Sequence, residues 1–257
     1  RSSDLYTFNK TQGSTQDTYA LGRAELGYAP AKFGGVFTIN ASGDKVRFAP
    51  GNLQYFLGSL GEDVSRWSFK AHQYDRSTSI TSGYYSTSTT QPNKEGYIDL
   101  FGWGASGIEG SATRYLPWQY AWIGSFREDV GEENMPLTID WGYNAIGNGG
   151  NAIGLWRTLT SDEWTYLWNT REVEGFVNSV SRATVENIPG LIILPDNFVD
   201  PQTNSSASHT GFYPGPNSSS IASFTDNVYN GNGWAAMQTA GVVFLPACGY
   251  RSGSSLY

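Results

Sequence analysis

Two histidines, one cysteine and a few clustered carboxylates are the residues of this 257-residue chain that could carry a proton, a metal or a nucleophile. His72 and His209 stand far apart in polar stretches. Ser-His-Asp chemistry needs an imidazole base, and a catalytic zinc needs ligands grouped at short spacing. No HExxH, CxxC or His-rich pattern occurs, so both histidines read as solvated loop residues. Cys248 sits in the apolar run Phe244-Leu245-Pro246-Ala247-Cys248-Gly249 and reads as a buried small hydrophobe. A single cysteine excludes an intramolecular disulfide.

Paired carboxylates could run glycoside hydrolysis. Glu128, Asp129, Glu132 and Glu133 cluster, but between Gly131 and Asn134 they read as an exposed acidic turn. Asp162 and Glu163 are accounted for by helix capping. Gly147-Asn148-Gly149-Gly150 lacks the Lys-Ser/Thr that a phosphate loop requires. A structural calcium site could be built from the loop oxygens of Asp196, Asn197, Asp226 and Asn227, although their spacing fits no recognised pattern. No other cofactor is expected, and the chain reads as a non-enzyme.

The elements that would position any site come next. The hairpin is the plainest: Val36-Phe37-Thr38-Ile39-Asn40, a Ser42-Gly43-Asp44 turn, then Lys45-Val46-Arg47-Phe48-Ala49. Gly51 to Phe56 is a further short strand. Residues 58–95 are mostly polar and read as a long surface loop tied down by Trp67, Phe69 and Tyr74. The glycines of Tyr97 to Gly104 suggest close backbone approach or positive φ rather than a regular strand. Thr160-Ser161-Asp162-Glu163 is a capping box, after which Trp164, Leu167 and Trp168 share one face. Arg171 suits the negative end of that helix. Leu191 to Leu194 and Val242 to Leu245 read as buried strands, and residues 201–223 as a Ser/Asn/Pro/Gly-rich loop. A second short helix, Trp234 to Ala240, is stopped by Gly241.

Short strands, two brief helices and long irregular loops make an α+β domain with one core. Residues 1–33 read as a linker, or as an extended arm that pairs with a neighbouring chain or domain. Residues 34–257 form the domain proper.

Several blocks carry a resemblance. Trp156-Arg157-Thr158-Leu159-Thr160-Ser161-Asp162-Glu163-Trp164-Thr165-Tyr166 resembles the R-L-P-T-E-x-E-W-E-Y helix start of formylglycine-generating-enzyme-like domains, the bacterial branch of the C-type-lectin fold. Four further blocks are similar to secreted bacterial paralogues of that group: Val46 to Tyr55, Ile98 to Gly104, Leu191 to Asn197 and Val243 to Arg251. The group includes the variable proteins of diversity-generating retroelements, cell-surface or phage-borne binders with diversified C-terminal residues. The resemblance implies a C-type-lectin-like fold and a diversifiable surface after the Gly249-Tyr250-Arg251 block. With the sequence ending at Tyr257, the domain is expected to be incomplete at its C-terminus. The enzymatic branch uses a cysteine pair or metal-binding histidines, which this sequence does not supply, so those activities do not carry over.

Only 15% of residues are charged, against about 25% in ordinary soluble domains, so Ser, Thr, Asn and Tyr must carry much of the surface. Tyr and Trp bind with large contact area at low entropic cost. The net charge of −7 argues against nucleic acid and anionic membranes, and no apolar run is long enough to span a bilayer. Together with what the resemblance implies, these features point to a secreted or cell-surface adhesin or receptor-binding protein, alternatively on a phage particle, whose partner is a protein or glycan on another surface. The candidate contact residues are Tyr250, Arg251, Leu256 and Tyr257, then the loop aromatics Tyr115, Trp118, Tyr120 and Trp122; the competing reading is packing under the loop for these aromatics and anchoring of the last strand for Tyr250 and Arg251. A glycan-active protein and a structural subunit of a surface fibre or phage tail are the competing readings.

Overall fold

The computed structural model describes residues 7–8, 34–60, 65–77, 83–88, 90–101, 105–107, 116–119, 140–249, 251–252 and 255–256. Among them the architecture is mixed α+β, with short strands in small sheets and two α-helices.

The hairpin forms as expected. β2 (Phe37–Thr38) and β3 (Lys45–Phe48) pair antiparallel, with Phe37 opposite Val46. The first strand of the chain, β1 (Thr7–Phe8), lies on the far side of β3 and pairs also with β7 (Trp156–Arg157), giving the order β2-β3-β1-β7. The remainder of residues 1–33 lies outside the described residues.

A second sheet has the order β5-β4-β6: β4 is Leu53–Leu57, β5 Trp67–Phe69 and β6 Gly96–Ile98. Both outer strands depart from the sequence reading, which gave loop at 58–95 and irregular backbone from Tyr97. Trp67 and Phe69 alternate with Ser68 and are 3% and 2% exposed, which is the period-2 pattern of a half-buried strand. The glycine at 96 takes φ +144° before Tyr97 pairs with Phe56.

The third sheet, β10-β8-β9-β11, is the longest: β8 Val180–Val185, β9 Ile188–Ile193, β10 Val228–Tyr229 and β11 Val243–Pro246. Glu186 and Asn187, at φ +49° and +64°, make the two-residue turn joining β8 to β9. The sheet separates two apolar clusters. One contains Phe37, Phe48, Trp67, Trp141 and Trp156; the other contains Val185, Phe198, Tyr229, Trp234 and Phe244. Gln73, 4% exposed, links the sheets: its Nε2 donates to the Ala49 carbonyl while its Oε1 accepts from Phe244 N–H on the open edge of β11.

Helix α1 (Ser161–Asn169) starts at the predicted capping box. Glu163 N–H donates to Thr160 Oγ1 at 3.2 Å, and Thr160 N–H donates to the Glu163 carboxylate at 2.7 Å. Arg157 grips the same carboxylate through both Nη atoms, at 2.7 and 2.5 Å, which joins the helix to β7. The expected apolar face is only partly buried. Leu167 is sealed in the core and Trp164 packs on Phe48, but Trp168 is 37% exposed because the core ends at Trp164. Helix α2 (Gly231–Thr239) begins three residues earlier than the sequence suggested, since Asn230 Oδ1 caps Gly233 N–H. Gly241, at φ +88°, ends the turn that follows it.

Candidate ligand-binding surface

Between β9 and β10 the chain runs through a Ser/Asn/Pro-rich stretch, residues 200–227, without forming a named strand or helix. A loop of this length normally has a function or no fixed structure. This one is held by buried amides. Asn227 is fully buried: its Nδ2 donates to the carbonyls of Arg182 and Tyr213, and its Oδ1 accepts from Tyr213 N–H. Asn204 donates to the carbonyls of Gly211 and Asp226 and accepts from the N–H groups of Ser206 and Val228. Each side chain thereby stands in for a strand ladder that the loop lacks. On β8, Ser181 Oγ donates to the Pro214 carbonyl and accepts from Ala222 N–H; Thr184 Oγ1 reaches the Phe224 carbonyl. Asp200 accepts from Phe212 N–H and Gln202, fixing the loop at its start. Below it, burial pushes the Tyr229 hydroxyl far up, with Asp200's charge adding to the effect.

The braced loop presents ring systems to solvent. His209 stacks on Tyr213 with centroids 3.9 Å apart and planes 8° from parallel. Phe224, 41% exposed, lies under the Arg182 guanidinium at 5.8 Å from the ring centre. The other histidine, His72, stacks likewise on Tyr74 at 4.8 Å. Both lie in loops, His72 exposed and His209 partly so, and each adds a tyrosine stack that the sequence did not show. Such surfaces bind by stacking and hydrogen bonding, with little ordering left to do on contact.

The sequence-derived contact residues fare unevenly. Arg251 and Leu256 are brought directly opposite each other in the hairpin of β12 (Arg251–Ser252) and β13 (Ser255–Leu256), beyond β11. Trp118 belongs to the core: it is 7% exposed, its Nε1 donates to the Ser88 carbonyl, and its ring lies 6.2 Å from Tyr55. Packing under the loop, the other reading of this residue, accounts for its burial. Tyr115, Tyr120, Trp122, Tyr250 and Tyr257 lie outside the described residues, as does the acidic turn at 128–133.

Of the proposed calcium oxygens, those of Asp196, Asp226 and Asn227 serve protein donors. Asp226 accepts from Ser223 N–H, and Asn227 accepts from Tyr213. Asp196 accepts from Thr38 N–H and Thr38 Oγ1 and pairs with Arg171 at 3.2 Å, with Lys45 further off at 3.4 Å. Burial opposes charge on Asp196, but these donors outweigh it and hold the carboxyl below its ordinary range. Asp140 behaves oppositely. Burial dominates and raises it, although the N–H groups of Gly142 and Thr158 both donate to it. Among the described residues no three His, Cys, Asp or Glu side chains are grouped to hold a metal.

Asn204, Tyr213, Arg182 and Phe224 escaped the sequence reading, and Asn227 entered it only as a possible calcium oxygen. The Asn204-Ser205-Ser206 turn chemistry was the available signal, but it marks a turn without revealing that the amide is buried. Comparison with protein families, curated proteins and solved structures finds no match to this chain. Among the described residues no helix is long and apolar enough to cross a membrane.

Proposed function

We infer that the chain is a non-catalytic ligand-binding domain of a secreted or surface-displayed protein, engaging a protein or glycan on another surface. The observation that carries this reading is the loop 200–227, in which buried Asn204 and Asn227 fix an irregular backbone that presents the His209–Tyr213 stack. An irregular loop held by its own buried hydrogen bonds has already met most of the ordering cost of association. The hairpin bearing Arg251 and Leu256 is the second candidate contact, in keeping with the C-type-lectin-like resemblance and its diversifiable C-terminal surface. Exposed Tyr97 and Trp168, at 54% and 37%, offer further faces for sugar rings and favour a glycan among the two ligand classes.

The test is a screen of the chain on a glycan array and a panel of surface proteins, followed by affinity measurements on the strongest hit. Tyr213→Ala is expected to weaken that affinity at least about tenfold, a loss typical of a contact hot spot. Arg251→Ala tests the hairpin in the same assay. Turnover of a glycan in the screen would overturn the reading, as would unchanged affinity in both variants.

A further inference from the structure

The place of β1 in its sheet has a consequence for association. β3 and β7 are not paired with each other; a two-residue strand stands between them and bonds to both. Thr7 is opposite Phe48 on one side and Arg157 on the other, and Phe8 is opposite Arg47 and Trp156. Phe48 and Trp156 are 0% and 1% exposed, so the strands that flank the slot are anchored in the core whichever segment fills it. The slot is therefore an acceptor for extended backbone.

Chain length bears on which copy fills it. Phe8 pairs with Arg47, and Arg47 Nη1 also donates to the Gly34 carbonyl at 2.6 Å. The chain thus leaves β1 and re-enters the described fold beside the same arginine. Joining those two points needs only a few residues, yet residues 9–33 separate them. Roughly 25 residues can span up to about 80 Å when extended, enough to reach the slot of a neighbouring molecule. The contacts made there are the same as those made at home, which is the condition for exchange at low cost.

We propose that Thr7–Phe8 of one copy fills the β3–β7 slot of a second copy, and that the exchange is reciprocal, giving a closed dimer. The proposal is independent of what the loop 200–227 binds. Self-filling and exchange balance when copies are as concentrated as the tether makes its own strand, on the order of millimolar, so the dimer grows with concentration or surface crowding.

The test uses full-length chains with Cys248→Ser as background. Chains carrying Thr7→Cys are mixed with chains carrying Arg157→Cys near millimolar concentration, equilibrated and oxidised. A disulfide-linked heterodimer is expected, with a yield that falls on dilution before oxidation. A chain carrying both substitutions reports self-filling as a cross-linked monomer. Because Arg157→Cys also removes the grip on Glu163, the pair Phe8→Cys and Arg47→Cys is run in parallel. If the double variants cross-link only within one chain and neither mixture gives heterodimer, exchange does not occur. If nothing cross-links in either pair, the register itself is absent and the proposal fails.

Discussion

Two carboxylates, the buried Asp140 and the half-buried Asp196, fasten two corners of this protein by different electrostatics. Asp140 is 4% exposed and caps the 3-10 turn Trp141–Tyr143, using one oxygen for Gly142 N–H and the other for Thr158 N–H. The turn and β7 meet so closely that a Cβ on Gly142 would stand 1.7 Å from the Trp156 carbonyl oxygen. Asp196 follows β9 and joins the hairpin at Thr38 to Arg171, which is itself buried, donates to the Leu194 carbonyl and lies over the Phe37 ring at 5.3 Å. At the first carboxylate two N–H groups, the Thr158 hydroxyl and the charge of Arg157 all favour ionisation without outweighing the desolvation of a nearly sealed site. A directly paired cation, with the Thr38 N–H and hydroxyl, does outweigh it at the second, which is also less deeply buried. The difference teaches that geometry and charge stabilisation are separable: Asp140 fixes a backbone turn, whereas Asp196 balances a charge as well.

Removing the cation should break the comparison most severely. Arg171→Ala leaves Asp196 without its buried partner and opens space beside Phe37, and loss of one member of a buried pair costs about 3–5 kcal/mol. Asp196 retains some access to water, so about 3 kcal/mol is expected, read from urea unfolding at pH 7. A loss below about 1 kcal/mol would show that Thr38 suffices for the carboxylate.

The acid response of the two corners should run in opposite directions. Asp196 has a lowered pKa when folded, so its stabilisation is complete above the unfolded value near 4 and is lost as pH falls through the lowered one. Asp140 has a raised pKa when folded. Its contribution is complete below the unfolded value and declines as pH rises through the raised one. Asp196→Asn should therefore flatten the acid loss of stability, and Asp140→Asn should steepen it by removing the opposing contribution. Asp140→Asn also sets an amide N–H against a backbone N–H, costing about 1–2 kcal/mol at pH 7. Unfolding free energies from pH 3 to 7 for both variants check the signs, and parallel curves would refute the contrast.

Local chemistry was legible in the sequence; partnerships across long separations were not. The capping box, the 37–48 hairpin and the stop at Gly241 each depend on residues a few positions apart. Arg171 shows the limit. Its place after α1 suggested the helix dipole, but its partner is Asp196, which only the folded sheet brings near. Asn204 drew no notice and Asn227 suggested only a calcium oxygen, since nothing local tells a buried amide from a solvated one. β5 was hidden because Trp67-Ser68-Phe69 is too short to show its alternation within the Ser/Thr-rich surroundings. Of the candidate contact surface, the loop was visible as a loop, and its bracing was not.

The smallest expected effect sharpens the account of Asp196. Lys45 also reaches that carboxylate, at 3.4 Å, but its side chain is 51% exposed, against 2% for Arg171. Water already solvates the ammonium, and holding a long side chain in place costs rotamer entropy, so a pair of this kind contributes about 0.5 kcal/mol or less. Lys45→Ala should lower stability by no more than that, and 0.5 M NaCl should erase the difference by screening. The larger loss in Arg171→Ala should survive the same salt, because a buried pair is poorly screened. If Lys45→Ala instead cost as much as Arg171→Ala, exposure would be the wrong basis for ranking the two cations. The carboxylate would then be balanced by net charge at the corner rather than by its one buried contact.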